Sequence, residues 1–268
     1  MKYTLAEDAR PHAKLLLAAT VISIVLWFIP YAEYLVYPFR LFVTLIHESG
    51  HALVAFVTGG SVQSLTIAAD GSGLVYSSSS SLLGQIFTSS AGYVGTMVFG
   101  VFLLYLIRKN VSPNKILFGS GVFILVITLV FGLLSPIFNF LSLQVGFGSV
   151  AFTLFVAFAL TAALFALAKF ANERTARWVT GFLAVQCLLN AISDLKTVFF
   201  INAPMIGADM QNDASNMANA TGIPAFFWVV IWIVISLGLL FLGFRMYTAV
   251  RSTSHNDTVF GENLWTLP

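Results

Sequence analysis

Residues 45–60 read "LIHESGHALVAFVTGG", a largely apolar stretch that carries two histidines and a glutamate. His47, Glu48 and His51 form an HExxH sequence, and on a helix positions i and i+4 share one face, so both imidazoles can reach one metal ion. Glu48 follows His47 by about 100° of helix rotation, which brings its carboxylate close to a water on that ion. Zinc lowers the pKa of such a water to about 7, and a neighbouring glutamate can take its proton. The pattern therefore predicts zinc-assisted attack of water on an amide carbon, with two histidine ligands and a glutamate base.

Two histidines leave a zinc ion short of a third protein ligand. Asp194 lies within the apolar run "FLAVQCLLNAISDLKTVFF", and Asn190 lies one helical turn earlier on the same face. A carboxylate in lipid needs a partner, and zinc would supply one, so Asp194 is the predicted third ligand and Asn190 a possible supporting residue. Asp209 and Asp213 are the alternatives. Asp213 is expected instead to cap a short helix that Gly222 ends.

The composition places these residues in a membrane. The chain of 268 residues is 58% apolar and 9% charged, with 26 phenylalanines and a mean hydropathy of +0.90. Soluble domains contain about 25% charged residues. A net charge of +2 is too small to indicate nucleic-acid binding, and the single cysteine excludes a disulfide framework. The expected surroundings are a lipid bilayer.

Seven apolar segments are each near the length of about 20 residues that spans hydrocarbon. They predict an all-α polytopic membrane protein with a bundle of about six or seven transmembrane helices. We expect one domain over residues 1–268, with a catalytic core at about 34–200 and a polar tail at 248–268. The segments are 14–30, 34–58, 84–107, 116–135, 146–168, 177–201 and 224–247.

Residues 59–76 interrupt the helical pattern. They alternate weakly and contain Asp-Gly-Ser-Gly, a turn signal, which predicts a small β-hairpin or re-entrant element beside the HExxH helix. The hairpin Ser61–Tyr76 offers an edge with which an extended peptide could pair, so it is the candidate substrate-binding element.

Lysine and arginine recur in alternate connections: 108–115, 169–177 and 245–251. All three fall on one side of the predicted bundle, which the positive-inside rule assigns to the cytoplasm. The N-terminal Lys2, Arg10 and Lys14 would lie on the opposite side if every early segment spans. The sequence does not decide between export of these charges and an early segment that does not span.

The segment "HESGHALVAFVTGG", followed by a Gly-rich hairpin, the small-residue helix "SSAGYVGTMVFG" and a later helix with Asn and Asp, resembles the site-2 protease family of intramembrane zinc metallopeptidases. It looks most like a compact branch without an inserted PDZ domain. The resemblance covers about residues 34–200 and implies that His47, His51 and Asp194 bind Zn²⁺ and that Glu48 is the catalytic base. In "LNAISDL" the proline and glycine of the usual aspartate motif are missing.

This resemblance implies an intramembrane endopeptidase that cleaves transmembrane or membrane-proximal segments of other proteins, in a bacterial inner membrane. The main alternative function is that of a proteolytically inactive descendant, a membrane protein with a metal-binding or regulatory role. In the purely structural alternative, His47 and His51 are buried histidines that form hydrogen bonds with neighbouring helices. A transporter is disfavoured because the sequence has no inverted repeat or paired broken helices.

Overall fold

The computed structural model describes residues 10–26, 28–140, 145–202 and 212–248, which form eight helices and one two-stranded antiparallel sheet. In chain order the elements are α1 (Arg10–Leu26), α2 (Ala32–Val57), β1 (Ser61–Ile67), β2 (Gly73–Ser78), α3 (Leu82–Arg108), α4 (Pro113–Phe138), α5 (Phe147–Phe170), α6 (Glu173–Asn202), α7 (Asp213–Thr221) and α8 (Ala225–Thr248). A π-helical segment, Thr128–Leu134, lies within α4.

Five of the described helices, α3, α4, α5, α6 and α8, are long and apolar enough to cross a membrane. The other two predicted segments correspond to α1, which has 17 residues, and α2, whose 26 residues include Glu33, Arg40 and Glu48. The predicted fold class, a helical membrane bundle with a small hairpin after the HExxH helix, is confirmed.

The HExxH helix α2 packs closely on α3 because small residues face each other there. A side chain on Gly50 would clash with the backbone of Ala91, whose carbonyl carbon would lie 3.0 Å away. Gly95 faces the Cα of Gly50 one turn further along α3. Small residues of this kind let helix backbones approach in membranes. The fully buried side chains of Leu45 and Met97 belong to the same core, and this contact fixes α2 against the middle of α3.

The hairpin is as predicted, and its two strands have different surroundings. Ser61 pairs with Ser78 and Ile67 with Gly73. Strand β1 is largely buried, and the Ile67 N–H donates to the Thr153 hydroxyl of α5 at 2.7 Å. Strand β2 is more exposed, and among the described residues its outer edge has no strand partner. The hairpin is therefore anchored to the helix bundle through β1, and β2 is its accessible strand.

The short helix α7 begins differently from the expectation, because its N-cap is Asn212 and not Asp213. The Asn212 side chain accepts from the backbone N–H groups of Ala214 and Ser215, and the Ser215 hydroxyl accepts in return from the Asn212 N–H. This is a capping box, and it leaves the Asp213 carboxylate free of any capping role. The helix ends where expected, at Gly222, which has a φ of 74°.

Apolar contacts hold α7 in place. Its buried residues Ala214 and Met217 pack with Tyr93 of α3 and with Val229 and Trp232 of α8. Because these contacts fix the first turn of α7, they also fix the direction in which that turn presents its other side chains.

Candidate metal centre

The two histidines of HESGH meet at one point. Their Nε2 atoms lie 3.0 Å apart, as expected for residues one turn apart on the same face of α2. Both atoms point at Gly92 on α3, where an added Cβ would collide with both. The absence of a side chain at Gly92 therefore leaves a space directly in front of the two imidazole nitrogens.

Neighbours on α3 set the orientation of both imidazoles. The Nδ1 atom of His51 lies 2.7 Å from the Thr88 carbonyl oxygen, which can only accept, so Nδ1 carries a proton and Nε2 is the nitrogen available to a metal ion. The edge of the Tyr93 ring packs against His47, with centroids 4.7 Å apart and an interplanar angle of 81°. A histidine held through its second nitrogen is the usual arrangement of a metal ligand.

Asp213, the first residue of α7, completes a three-residue group. Its Oδ2 atom lies 3.4 Å from Nε2 of His51 and 3.7 Å from Nε2 of His47. Burial would raise the pKa of this carboxyl, but the adjacent His51 and His47 outweigh that effect and hold the pKa well below its usual range. Asp213 is therefore an ionised carboxylate facing two imidazoles. The Tyr93 side chain lies beside the same carboxylate and borders the same cavity.

The spacing of the three ligand atoms fits zinc. Bonds of about 2.0–2.1 Å in tetrahedral geometry separate neighbouring ligand atoms by about 3.3 Å. The three edges of the triangle here are 3.0, 3.4 and 3.7 Å. Two imidazoles and a carboxylate, with room left for a fourth ligand, are the donor set of a catalytic rather than a structural zinc site. Among the described residues, His47, His51 and Asp213 form the group of potential metal ligands.

Glu48 and the three ligands border one cavity of about 690 Å³. The Glu48 side chain is 6% exposed and lies under Gly73 at the start of β2. A Cβ on Gly73 would be only 2.7 Å from the carboxyl carbon of Glu48, so any larger residue there would displace the Glu48 side chain. Glu48, the base predicted from the sequence, therefore faces the cavity that the ligand triangle also borders, and not lipid.

The structure places Asp194, the predicted third ligand, outside the group of His47, His51 and Asp213. Asp194, on α6, is exposed and borders a separate cavity of about 240 Å³ that also reaches His47, Glu48 and Arg40. Its oxygens are not in the ligand group. The prediction assumed a carboxylate buried in lipid and needing a cation. Asp194 instead borders a cavity that it shares with Arg40, His47 and Glu48.

Asn190 lies beside Asp194 in the same cavity. Its amide nitrogen donates to the Gln186 carbonyl oxygen at 2.8 Å, and Gln186 in turn donates to Ser23 of α1 at 2.9 Å. Asn190 is therefore linked through Gln186 to α1. The alternative ligand Asp209 lies outside the described residues.

Three contributors to the site were missed by reasoning from the sequence: the Thr88 carbonyl, Tyr93 and Gly92. The string "SSAGYVG" is rich in small residues, and Ala91 within it does pack closely on Gly50. The signal that could have found Gly92 is its position in this string, because small residues are typical of close helix packing in membranes. A backbone carbonyl such as that of Thr88 has no sequence signal.

A family model described as Peptidase M50B-like matches residues 16–243. No curated protein and no solved structure matches the chain. The match covers α2, the hairpin, α6 and α7, and with them every residue of the ligand triangle. It confirms the resemblance to site-2 proteases and, together with the five apolar helices, indicates an integral multi-pass membrane protein. The chain belongs to the Peptidase M50B-like family.

Proposed function

We propose that this protein is a zinc-dependent intramembrane endopeptidase that cleaves transmembrane or membrane-proximal segments of other proteins. The observation that carries the proposal is the triangle of His47, His51 and Asp213, which has zinc-like edges and opens on the cavity that holds Glu48. Pure metal storage would not require a buried glutamate beside the ligands. We further propose a bacterial inner membrane as the location.

His47, His51 and Asp213 would hold the ion. A zinc ion bound there supplies Lewis acidity, which makes water a nucleophile near neutral pH and polarises a peptide carbonyl. Glu48 accepts the proton from the attacking water and then donates it to the nitrogen of the leaving amine. The Thr88 carbonyl oxygen holds His51 in place throughout, and the Tyr93 side chain lies beside Asp213.

The candidate substrate-binding element is the hairpin, and β2 is the strand that would contact a substrate. Residues Gly73 to Ser77 border the cavity. The Ile67 N–H points away from β2 and donates to Thr153, so Ile67 and Gly73 form a non-hydrogen-bonded pair. Hydrogen-bonded and non-hydrogen-bonded pairs alternate along an antiparallel ladder, so Leu65 and Val75, two residues further on, also form a non-hydrogen-bonded pair. The N–H of Val75 therefore points to the outer edge. A substrate in extended conformation could pair there.

The proposal is tested by measuring zinc per chain and cleavage of a membrane-anchored reporter by the purified protein. We expect about one zinc per chain in the wild type and in Glu48→Gln. Cleavage should fall by about 10²–10⁴-fold in Glu48→Gln, since that is the usual contribution of a general base. Wild-type protein that holds zinc and cleaves no reporter would support the inactive, metal-binding alternative. Wild-type protein without zinc would overturn the metal site itself.

The role of β2 is tested with Val75→Pro and, as its matched control, Val75→Ala. Proline removes the outward N–H but no bond between β1 and β2, and edge positions tolerate proline. We expect Val75→Pro to raise KM for cleavage while zinc content stays unchanged, and Val75→Ala to behave like the wild type. Equal cleavage by both variants would exclude strand pairing at this edge.

A further inference from the structure

A second cavity adjoins the one at the ligand triangle. We name the cavity of about 690 Å³ at the triangle the metal cavity, and the cavity of about 240 Å³ bordered by Arg40, Asn190 and Asp194 the Arg40 cavity. Four residues border both, so each cavity reaches the place where a substrate would be attacked. These four are His47, Glu48, Gly73 and Tyr93.

The Arg40 cavity extends along α2 away from the metal ligands. Arg40 precedes His47 by about two helical turns, so both side chains lie on one face of α2, about 10.5 Å apart along its axis. Thr44, one turn from each, borders the same cavity. An extended peptide advances about 3.3 Å per residue. A substrate that lies along this face therefore reaches Arg40 about three residues from the scissile bond.

The hairpin runs beside the same face of α2. A Cβ added to Gly71, in the turn, would lie 2.9 Å from Nε of Arg40, whereas one added to Gly73 would meet the Glu48 carboxyl group. The Thr44 hydroxyl donates to the Gly71 carbonyl oxygen at 2.9 Å and fixes the turn to α2. A peptide paired with the outer edge of β2 would therefore enter the Arg40 cavity if it continued past Gly73.

The Arg40 cavity brings together a cation from α2 and a carboxylate from α6. Arg40 and Asp194 are both exposed, and within the described part of the chain neither side chain forms a hydrogen bond or an ion pair. Arg40 is nevertheless close enough to act on the Asp194 carboxylate through its charge. Ionisable side chains on membrane-spanning helices are costly and mark functional sites by default. Both groups are therefore available to a ligand that enters the cavity.

The two groups have opposite hydrogen-bonding capacities. A guanidinium group can only donate, and an ionised carboxylate can only accept. A substrate carboxylate would be attracted by Arg40 but repelled by Asp194, and a substrate ammonium group would meet the reverse. The carboxamide of asparagine or glutamine carries an acceptor oxygen and a donor NH₂ group, so it can bond both residues at once.

We propose that the Arg40 cavity is a substrate subsite, in which Arg40 and Asp194 together bind the carboxamide side chain of an asparagine or glutamine about three residues from the scissile bond. The inference rests on the proposed function, because the subsite is defined relative to the bond that is cleaved. It assigns to Arg40 and Asp194 the selection of substrates and no part in the chemical step.

Binding to the full-length, zinc-loaded Glu48→Gln protein tests the subsite without cleavage. The probes are fluorescent peptides of one membrane-spanning sequence, in which Gln, Leu, Glu or Lys is placed at one position at a time. Fluorescence anisotropy in detergent micelles gives the Kd of each peptide. We expect one position at which Gln binds about tenfold more tightly than the other three residues, because hydrogen bonds to charged groups are the stronger ones.

Two further substitutions in that background should change which residue is preferred at this position. Arg40→Met removes the cation, so we expect Lys to bind best, and Asp194→Asn removes the anion, so we expect Glu to bind best. Arg174→Met is the control, because Arg174 lies about 30 Å from Asp194 along α6 and should not alter the preference for Gln. A new preference cannot result from a loss of folded protein, and zinc content verifies that the metal centre is intact.

The inference is overturned if no position distinguishes the four residues, or if the preference for Gln survives in both Arg40→Met and Asp194→Asn. Cleavage of the Gln peptide by the wild type, followed by mass spectrometry of the products, locates the scissile bond. A preferred position outside roughly two to four residues from that bond also overturns the inference. Wild-type protein that shows the expected binding preference and cleaves no peptide contradicts the protease proposal instead, and Arg40 and Asp194 remain a carboxamide-binding pair.

Discussion

Asp213 and Asp194 both lie near His47, yet only one of them belongs to the ligand triangle. Asp194 lies on the long helix α6, is exposed, and borders a cavity that it shares with Arg40 and His47. Asp213 is the first residue of the nine-residue α7, and packing of that helix against α3 and α8 aims its carboxylate at the two imidazoles. The comparison shows that a carboxylate within an apolar helix can lie outside the site, whereas one in a polar connection can be delivered to it.

The two aspartates should differ most in zinc affinity. Asp213→Ala removes a ligand atom, so we expect its zinc affinity to fall by more than the roughly 10–100-fold that loss of an outer-shell partner costs. Asp194→Ala is the matched control and should keep about one zinc per chain. Zinc titration of both purified variants measures the difference. Retention of zinc by Asp213→Ala together with its loss from Asp194→Ala would restore the prediction made from the sequence.

The space that Gly92 leaves in front of the imidazoles should be needed for zinc binding, as the ligands are. In Gly92→Ala the new methyl group would collide with Nε2 of His47 and of His51. Overpacking of this kind costs about 1–3 kcal/mol, or roughly 5–150-fold in zinc affinity. Gly95→Ala is the control, because its methyl group would only touch the Cα of Gly50 at 3.7 Å. Equal zinc affinity of the two variants would mean that the space has no role in metal binding.

Tyr93 should act on zinc through Asp213. Tyr93→Phe removes the hydroxyl beside the Asp213 carboxylate but keeps the ring that packs against His47. We expect zinc affinity about tenfold weaker, at the lower end of outer-shell effects. Competition with a chelator of known affinity measures this, and Tyr105→Phe, further along α3, serves as the control. Unchanged zinc affinity in Tyr93→Phe would restrict Tyr93 to a packing role.

The N-cap of α7 should have the smallest effect. Asn212→Ala removes the acceptor for two backbone N–H groups and should destabilise the start of the helix by about 1 kcal/mol. Because that turn carries Asp213, we expect a parallel loss of about fivefold in zinc affinity. Asn219→Ala, at an exposed position of the same helix, is the control. If thermal unfolding and zinc titration do not separate the two variants, the capping box does not position Asp213.

Much of the fold could be predicted from the sequence, because a segment that spans lipid must be apolar and of a set length. The apolar segments and the HExxH spacing each follow from local periodicity, and the hairpin follows from its turn signal. The cap of α7 was predicted one residue too late, because Asp and Asn are equally good caps and only the bonds formed by Asn212 distinguish them.

The sequence by itself determined that two imidazoles share a helix face with a glutamate beside them, since residues one turn apart on a helix must face the same way. It also determined that this helix belongs to a membrane protein, since so few charges cannot cover a soluble surface. Only the tertiary structure decided which distant carboxylate joins the histidines. That choice depends on how α7 packs between α3 and α8, more than 160 residues along the chain from His51. Contacts over such separations leave no periodic pattern in the sequence.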